Sequence, residues 1–166
     1  MICFDSGKNR FNYRIVGVAI HENRVLLHQA EGETFWTFPG GRGEFGEPAA
    51  TTLQREMREE IGVEVDVVRL LWLVENFFAY EEKDYHEIAL YFLMRLPFGC
   101  DYLNQPVFQG SEGAIELTFQ WFPQQAEFLS SLPLLPDFLP RALQQLPESV
   151  QHIVHYQEAI GHQTIE

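Results

Sequence analysis

Apolar residues recur along this chain with two different periods. Ala50, Leu53, Met57 and Ile61 are spaced three and four residues apart, which places them on one face of a helix. Pro48 stands where a first-turn N–H is not needed, and Gly62 where a left-handed residue ends a helix at low cost. The pattern predicts a helix over residues 48–62. Elsewhere the runs are β-type. Residues 11–20 end in an unbroken apolar stretch, residues 21–24 read as a turn, and residues 25–29 as the partner strand. Residues 35–38 are extended. Residues 65–80 and 85–96 read as a long hairpin about a charged turn at 81–84. Residues 97–113 read as a loop, 115–122 as a strand, and 124–130 and 136–146 as two helices. Residues 150–156 fit an edge strand or a short helix equally well. The first ten residues are polar and read as an N-terminal arm to a single domain over 11–166. Strands around a central helix, with more helix at the end, predict an α/β fold with a mixed sheet packed between helices.

The chain's 166 residues are enough for one domain with one core. Its 24 acidic residues against 11 basic ones give a formal charge of −13, which argues against a general nucleic-acid surface. The same charge repels a free anionic substrate, so phosphate binding would depend on local cations. Cys3 and Cys100 do not make a disulfide framework, and no stretch has the length and apolarity of a signal peptide or membrane span. A cytoplasmic protein with no membrane partner is expected.

Beside the apolar stripe, the same helix carries Glu56, Glu59 and Glu60, which fall within an arc of about 100°. Like charges so close repel unless a cation sits between them, and a hard divalent ion with oxygen ligands is the natural resolution. Just upstream, Gly40, Gly41, Gly43 and Gly46 allow the backbone to approach a ligand closely, and loop N–H groups that open a helix favour phosphate. Taken without this context, the glutamates read as a solvated acidic face and the glycines as a flexible loop.

The stretch that joins these features resembles the Nudix box of the Nudix hydrolases. Gly41, Glu47 and the run Arg55-Glu56-Met57-Arg58-Glu59-Glu60-Ile61-Gly62-Val63 fill its constrained positions. Trp36-Thr37-Phe38-Pro39-Gly40 before the box, and a late strand ending in Trp121, also resemble the family. The resemblance implies an α/β/α sandwich and a Mg2+-dependent hydrolase, with Mn2+ as the alternative ion. The substrate would be a small molecule carrying a nucleoside diphosphate linked to another moiety: a nucleotide sugar, a dinucleoside polyphosphate or a nucleoside triphosphate. It implies metal ligation by Glu56, Glu59, Glu60 and the Gly40 carbonyl, with Glu56 as ligand or as the group that activates water. The general base of some members lies on a loop after the long hairpin, where Glu112 is the first choice here and Glu116 the second. Glu47 and Arg55 would be a structural ion pair tying loop to helix.

Substrate contacts are expected from Gly41 in the loop and Arg14 on the first strand. Trp36 and Tyr80 would stack on a base, with Phe35, Phe77 and Phe78 as further aromatic candidates. Tyr80 stands at a distance from the box similar to a mark of the diadenosine-polyphosphate branch. His86 and Glu87 read as a strand histidine and a surface glutamate, with Glu87 as an extra ligand the competing role. His152 and His155 are too isolated for a zinc site. Many family members pair as homodimers, and this sequence marks no interface. Two competitors remain: a binding module of the same fold that senses a nucleotide or sugar without cleaving it, and an mRNA-decapping enzyme. The retained glutamates argue against the first, and the acidic balance argues against the second.

Overall fold

The computed structural model describes residues 1–158. Among the described residues, the chain forms β1 (Cys3–Ser6), β2 (Asn9–His21), β3 (Arg24–Ala30), β4 (Gly40–Arg42), α1 (Ala49–Ile61), β5 (Asp66–Tyr80) and β6 (Lys83–Arg95). It continues through a 3-10 turn (Asp101–Asn104), β7 (Val107–Glu112), β8 (Ile115–Pro123), α2 (Ala126–Ser131), the single turn α3 (Leu139–Ala142) and β9 (Gln151–Tyr156). The strands make one mixed sheet in the order β7-β8-β3-β2-β6-β5-β9, with β1 and β4 both joined to β2. Strand β2 runs parallel to β6 from Asn9↔Asp84 to Ala19↔Met94, and β5 runs parallel to β9. The other pairings are antiparallel.

The unbroken apolar run in β2 follows from burial on both faces. Ile15 and Ala19 join the cluster beneath α1 through Leu53, Met57 and Ile61. Val16 and Val18 point the other way, into a cluster closed by Leu129, Leu139 and Leu143 of the C-terminal helical segment. The sheet is thus covered by helix on both sides, as the α/β expectation required. Helix α1 has Pro48 at its N-cap and Gly62 at its end, where the Gly62 N–H donates to the Arg58 carbonyl and the Val63 N–H to the Met57 carbonyl. The β5–β6 hairpin closes tightly, with Tyr80 opposite Lys83, leaving only Glu81 and Glu82 in the turn. Both adopt left-handed φ, 45° and 63°, which matches the twist of the flanking strands.

Several local expectations fail. Residues 3–10 are not an arm. They pair as β1 and the start of β2, with Phe4 stacked on Phe11 at 5.1 Å and Arg10 bonded to Asp5 at 2.7 Å. Their polarity marks an exposed edge. Part of the expected 97–113 loop, Val107–Glu112, is β7, whose Phe108 stacks on Phe119 and Tyr102 while its polar neighbours face solvent. The expected helix over 136–146 is ordered as helix only in α3. Residues 151–156 are the edge strand β9 rather than a helix. Among the described residues, no helix is long and apolar enough to cross a membrane.

Gly110 in β7 has a specific cause. A Cβ there would lie 2.6 Å from the Glu60 carbonyl oxygen and 2.8 Å from Ile61, so the glycine lets the strand touch the last turn of α1. Gly110→Ala is expected to destabilise the fold by about 1–3 kcal/mol, the scale of core overpacking. Denaturant unfolding at unchanged m-value would measure this, and a loss under about 0.5 kcal/mol would contradict it.

Candidate active site

Helix periodicity that buries Leu53 and Met57 also turns Glu56 and Glu60 toward the sheet. Glu59 lies further round, with 60% of its side chain exposed. Glu60 is 5% exposed, and neither carboxyl oxygen has a hydrogen-bond partner among the described residues. Burial, reinforced by the nearby Glu56 charge, pushes its pKa up to about 8. Burial also raises Glu56, against the opposing pull of Arg55, whose Nη1 lies 2.6 Å from Glu56 Oε1. Arg55 holds three carboxylates at once. Its Nε donates to Glu47 Oε1 at 3.1 Å, and Nη1 reaches Glu59 Oε2 at 3.3 Å. The Thr52 hydroxyl donates to Glu47 Oε2 at 2.7 Å, and these bonds hold Glu47 below the usual carboxylate range.

The glycine loop enters as β4, which pairs with β2 through Arg14↔Arg42, Ile15↔Gly41 and Val16↔Gly40. An added Cβ on Gly41 would sit 2.1 Å from the Glu56 carboxyl carbon, so only glycine lets the loop lie against that glutamate. Glu112 ends β7 rather than lying in a loop, is exposed, and adds its charge to the upward shifts of Glu56 and Glu60. Glu116 sits across the β7–β8 turn, paired with Ser111, and does not line the cleft described next.

A cleft of about 550 Å³ runs from this acidic end across β2, β6 and β5. Gly40, Gly41, Glu56, Glu59 and Glu112 line it at one end, and Arg14 lines its floor. Phe35, Phe78, Tyr80 and Tyr85 form its aromatic wall, with Phe78 stacked on Tyr85 at 4.6 Å and the Tyr80 hydroxyl bonded to Glu33. Trp36 is not part of it. The ring packs edge-on against Phe122 at 4.9 Å, within the core beneath the C-terminal helical segment, and Phe35 takes the place at the cleft. Phe77 likewise stacks on Tyr156, away from the lining. Glu87 is not on the surface. It is buried on the cleft floor and accepts from Asn12 Nδ2 at 2.7 Å.

Asn12, Asn76 and His28 also line the cleft and had no part in the sequence-based expectations. His28 is buried against Phe119 with its Nδ1 unpartnered, and burial takes its pKa down to about 3, so the ring is neutral. Stepping back by twos from Tyr80 on β5 gives Phe78 and Asn76, and the hairpin register gives Tyr85 and Glu87 opposite them. That period-two signal was available in the sequence.

The family model described as the NUDIX domain matches residues 12–145. The chain belongs to the NUDIX domain family. It is 27% identical over 84 residues to an 8-oxo-dGTP diphosphatase of Buchnera aphidicola subsp. Schizaphis graminum, covering 48% of this chain and 59% of that protein. It is 29% identical over 115 residues to the Nudix hydrolase YvcI of Bacillus subtilis, covering 69% and 66%. It is 33% identical over 82 residues to an RNA pyrophosphohydrolase of Ruthia magnifica, covering 49% and 45%. The match thus spans about half to two thirds of these relatives' lengths. Among solved structures, a UDP-X diphosphatase superposes with a TM-score of 0.58 at 22% identity, over 89% of this chain and 69% of that one. An ADP-ribose pyrophosphatase from Streptococcus suis gives 0.57 at 16%, over 87% and 98%. These two show the fold.

The acidic end of this NUDIX domain fits a divalent cation by its chemistry. The donors are all oxygen, and Glu60 offers two buried carboxyl oxygens that nothing else among the described residues satisfies. Among the described residues, no three acidic or imidazole groups already stand as a closed cage, and Arg55 is the positive charge between them. The pH dependence follows from the upward shift of Glu60. The folded state keeps its proton over a range where the unfolded chain, with an ordinary value of 4.5, has lost it. Stability from this group is full below pH 4.5 and is lost as pH rises toward 8. In metal-free buffer, Glu60→Gln is therefore expected to flatten the fall of Tm between those pH values. A wild-type slope retained in the variant would show that another group is responsible.

Proposed function

We propose that this NUDIX domain is a divalent-metal-dependent hydrolase that cleaves a pyrophosphate bond in a nucleoside diphosphate linked to another moiety. The observation that carries the reading is the buried Glu60 carboxyl, without a partner among the described residues and close enough to Glu56 to feel its charge, where Glu56 lines a cleft of about 550 Å³. The relatives named as diphosphatases and pyrophosphohydrolases support the reaction class. Glu56, Glu59, Glu60 and the Gly40 carbonyl would hold Mg2+, with Mn2+ as the alternative. When bound, the ion neutralises phosphate charge and makes water a better nucleophile.

The chain's own groups do the rest. Arg14, on the cleft floor, binds a phosphate and compensates for the repulsive charge of the whole chain. Arg55 keeps the Glu56 carboxyl against the Gly41 backbone. Glu112, exposed and among the residues that line the cleft, takes the proton of the attacking water in this reading. Water adds to phosphorus, the bridging oxygen leaves with the second phosphate, and no covalent bond to the protein is needed. Tyr80, with Phe78 and Phe35, forms the wall on which a base stacks.

A panel of nucleotide sugars, dinucleoside polyphosphates and nucleoside triphosphates, assayed with Mg2+ and with EDTA, tests the proposal. Glu59→Gln and Glu60→Gln are each expected to lower kcat by at least about a hundredfold on the best substrate. Mg2+ should raise the Tm of the wild type more than that of Glu60→Gln. The reading would be falsified if both variants kept full activity, and tight nucleotide binding without turnover would favour the sensing module instead.

A further inference from the structure

The floor of the cleft carries a row of polar side chains that hydrolysis does not use. Asn12 on β2 lies opposite Glu87 on β6, Glu87 opposite Asn76 on β5, and Asn76 opposite His155 on β9. Directly opposed residues project to the same face, with Cβ atoms about 4.5–5.5 Å apart. Asn12, Glu87 and Asn76 are only 4–5% exposed. Buried polar groups in one line across four strands need an account.

Each end of the row is set by a group with one hydrogen-bonding sense. The Arg42 guanidinium only donates, and its Nε lies 2.8 Å from Asn12 Oδ1. Asn12 must therefore turn its Nδ2 to Glu87, donating to Oε2 at 2.7 Å. At the other end the Asp137 carboxylate only accepts, so His155 Nε2, 2.7 Å from its Oδ1, carries the proton. Asp137 is itself held by Gln157, which donates from Nε2 at 3.2 Å and accepts from the Asp137 N–H at 3.1 Å. Burial keeps His155 below its ordinary range, so the ring is neutral near pH 7 and its Nδ1 accepts.

The end of the Asn76 amide that meets Nδ1 at 3.1 Å must therefore donate. Drawn with Oδ1 at that contact, the amide sets two acceptors face to face. Turned by 180°, Nδ2 donates to His155 and the carbonyl oxygen faces the cleft. Glu87 Oε1 beside it has no partner among the described residues. Between Glu87 and Asn76 the cleft thus offers two adjacent acceptors.

Two adjacent acceptors read two adjacent donors. Among the common nucleobases guanine carries such an edge, N1–H beside the N2 amino group. Adenine and cytosine place a ring acceptor next to their amino group, and uracil flanks one N–H with two carbonyls. The stacked rings of Phe78 and Tyr85 lie in the next register pair on the same face and give a flat wall for the base. A site built to pair with particular donors rejects a base that leaves its buried acceptors unpaired.

We propose that Asn76 and Glu87 are the specificity-determining pair for the base of the substrate and select a guanosine nucleotide, with His155 and Asp137 as the positioning residues that orient Asn76. The proposal rests on the nucleotide-hydrolase reading of the cleft. Steady-state kinetics with GTP, ITP and ATP in Mg2+ at pH 7.5, together with calorimetry of GDP and ADP, test it. The wild type is expected to favour GTP over ATP in kcat/KM by at least about tenfold, with ITP, which lacks the amino group, between them. Asn76→Ala lowers that ratio mainly through the KM for GTP. Glu87→Gln, which can turn an amide donor to the cleft, shifts it toward ATP. His155→Phe lowers the ratio, and His155→Gln restores it, because that amide can donate to Asp137 and accept from Asn76. Equal use of GTP and ATP by the wild type, or a ratio unmoved by Asn76→Ala, overturns the proposal. If neither these triphosphates nor the nucleotide sugars and dinucleoside polyphosphates of the panel are hydrolysed, the hydrolase reading fails separately. Tighter binding of GDP than ADP then still upholds the edge, and equal binding overturns it.

Discussion

Two carboxyl groups buried where a helix meets a sheet set the terms for the rest of the molecule. Taking such groups out of water is costly unless a cation or donors receive them. Glu56 is received by Arg55, and Glu60 by nothing among the described residues. The neighbouring positions follow from keeping that arrangement in place. Gly41 and Gly110 let two strands come within contact of the same helix, one against the Glu56 side chain and the other against the Glu60 carbonyl. Leu53 and Met57 anchor the helix between those carboxyls and the core. Glu47 and Thr52 keep Arg55 from swinging away.

Helix α1 was legible in the sequence because its signals agree: an apolar stripe, a proline at the start and a glycine at the end. The long hairpin was legible for a similar reason, although its turn proved tighter than the charged run suggested. Strands β1 and β7 were not. Each is short and mostly polar, and Gly110 looked like a loop breaker when it was a clearance for the helix. For the site, the acidic end could be read from the box motif, whereas the cleft floor could not. Both faces of β2, β5 and β6 are covered, so alternation alone does not tell which face borders a cavity. Glu87 therefore passed for a surface acid. Trp36 passed for a base-stacking residue, because nothing local reveals that Phe122 lies beneath it.

The cleft divides its labour along its length. Its acidic end is made by the loop, β4, α1 and the tip of β7. Its far end is made by side chains on β2, β6 and β5, whose positions depend on strand register rather than on helix geometry. With an overall charge of −13, attraction of a phosphate compound would, on the proposed reading, be a local matter for Arg14 and a bound ion. Discrimination among such compounds would then fall to Asn76 and Glu87 further along.

Strand β9 gives this division a practical meaning. The stretch that matches the family model stops at residue 145, whereas β9 begins at Gln151. A fragment cut at that boundary would keep each glutamate and glycine of the reacting end, yet it would shed the imidazole that settles which way an amide on the neighbouring strand points. On the proposed reading, such a fragment would retain Asn76 and Glu87 but lose the group that orients Asn76, so discrimination between bases would weaken while the acidic end stayed whole.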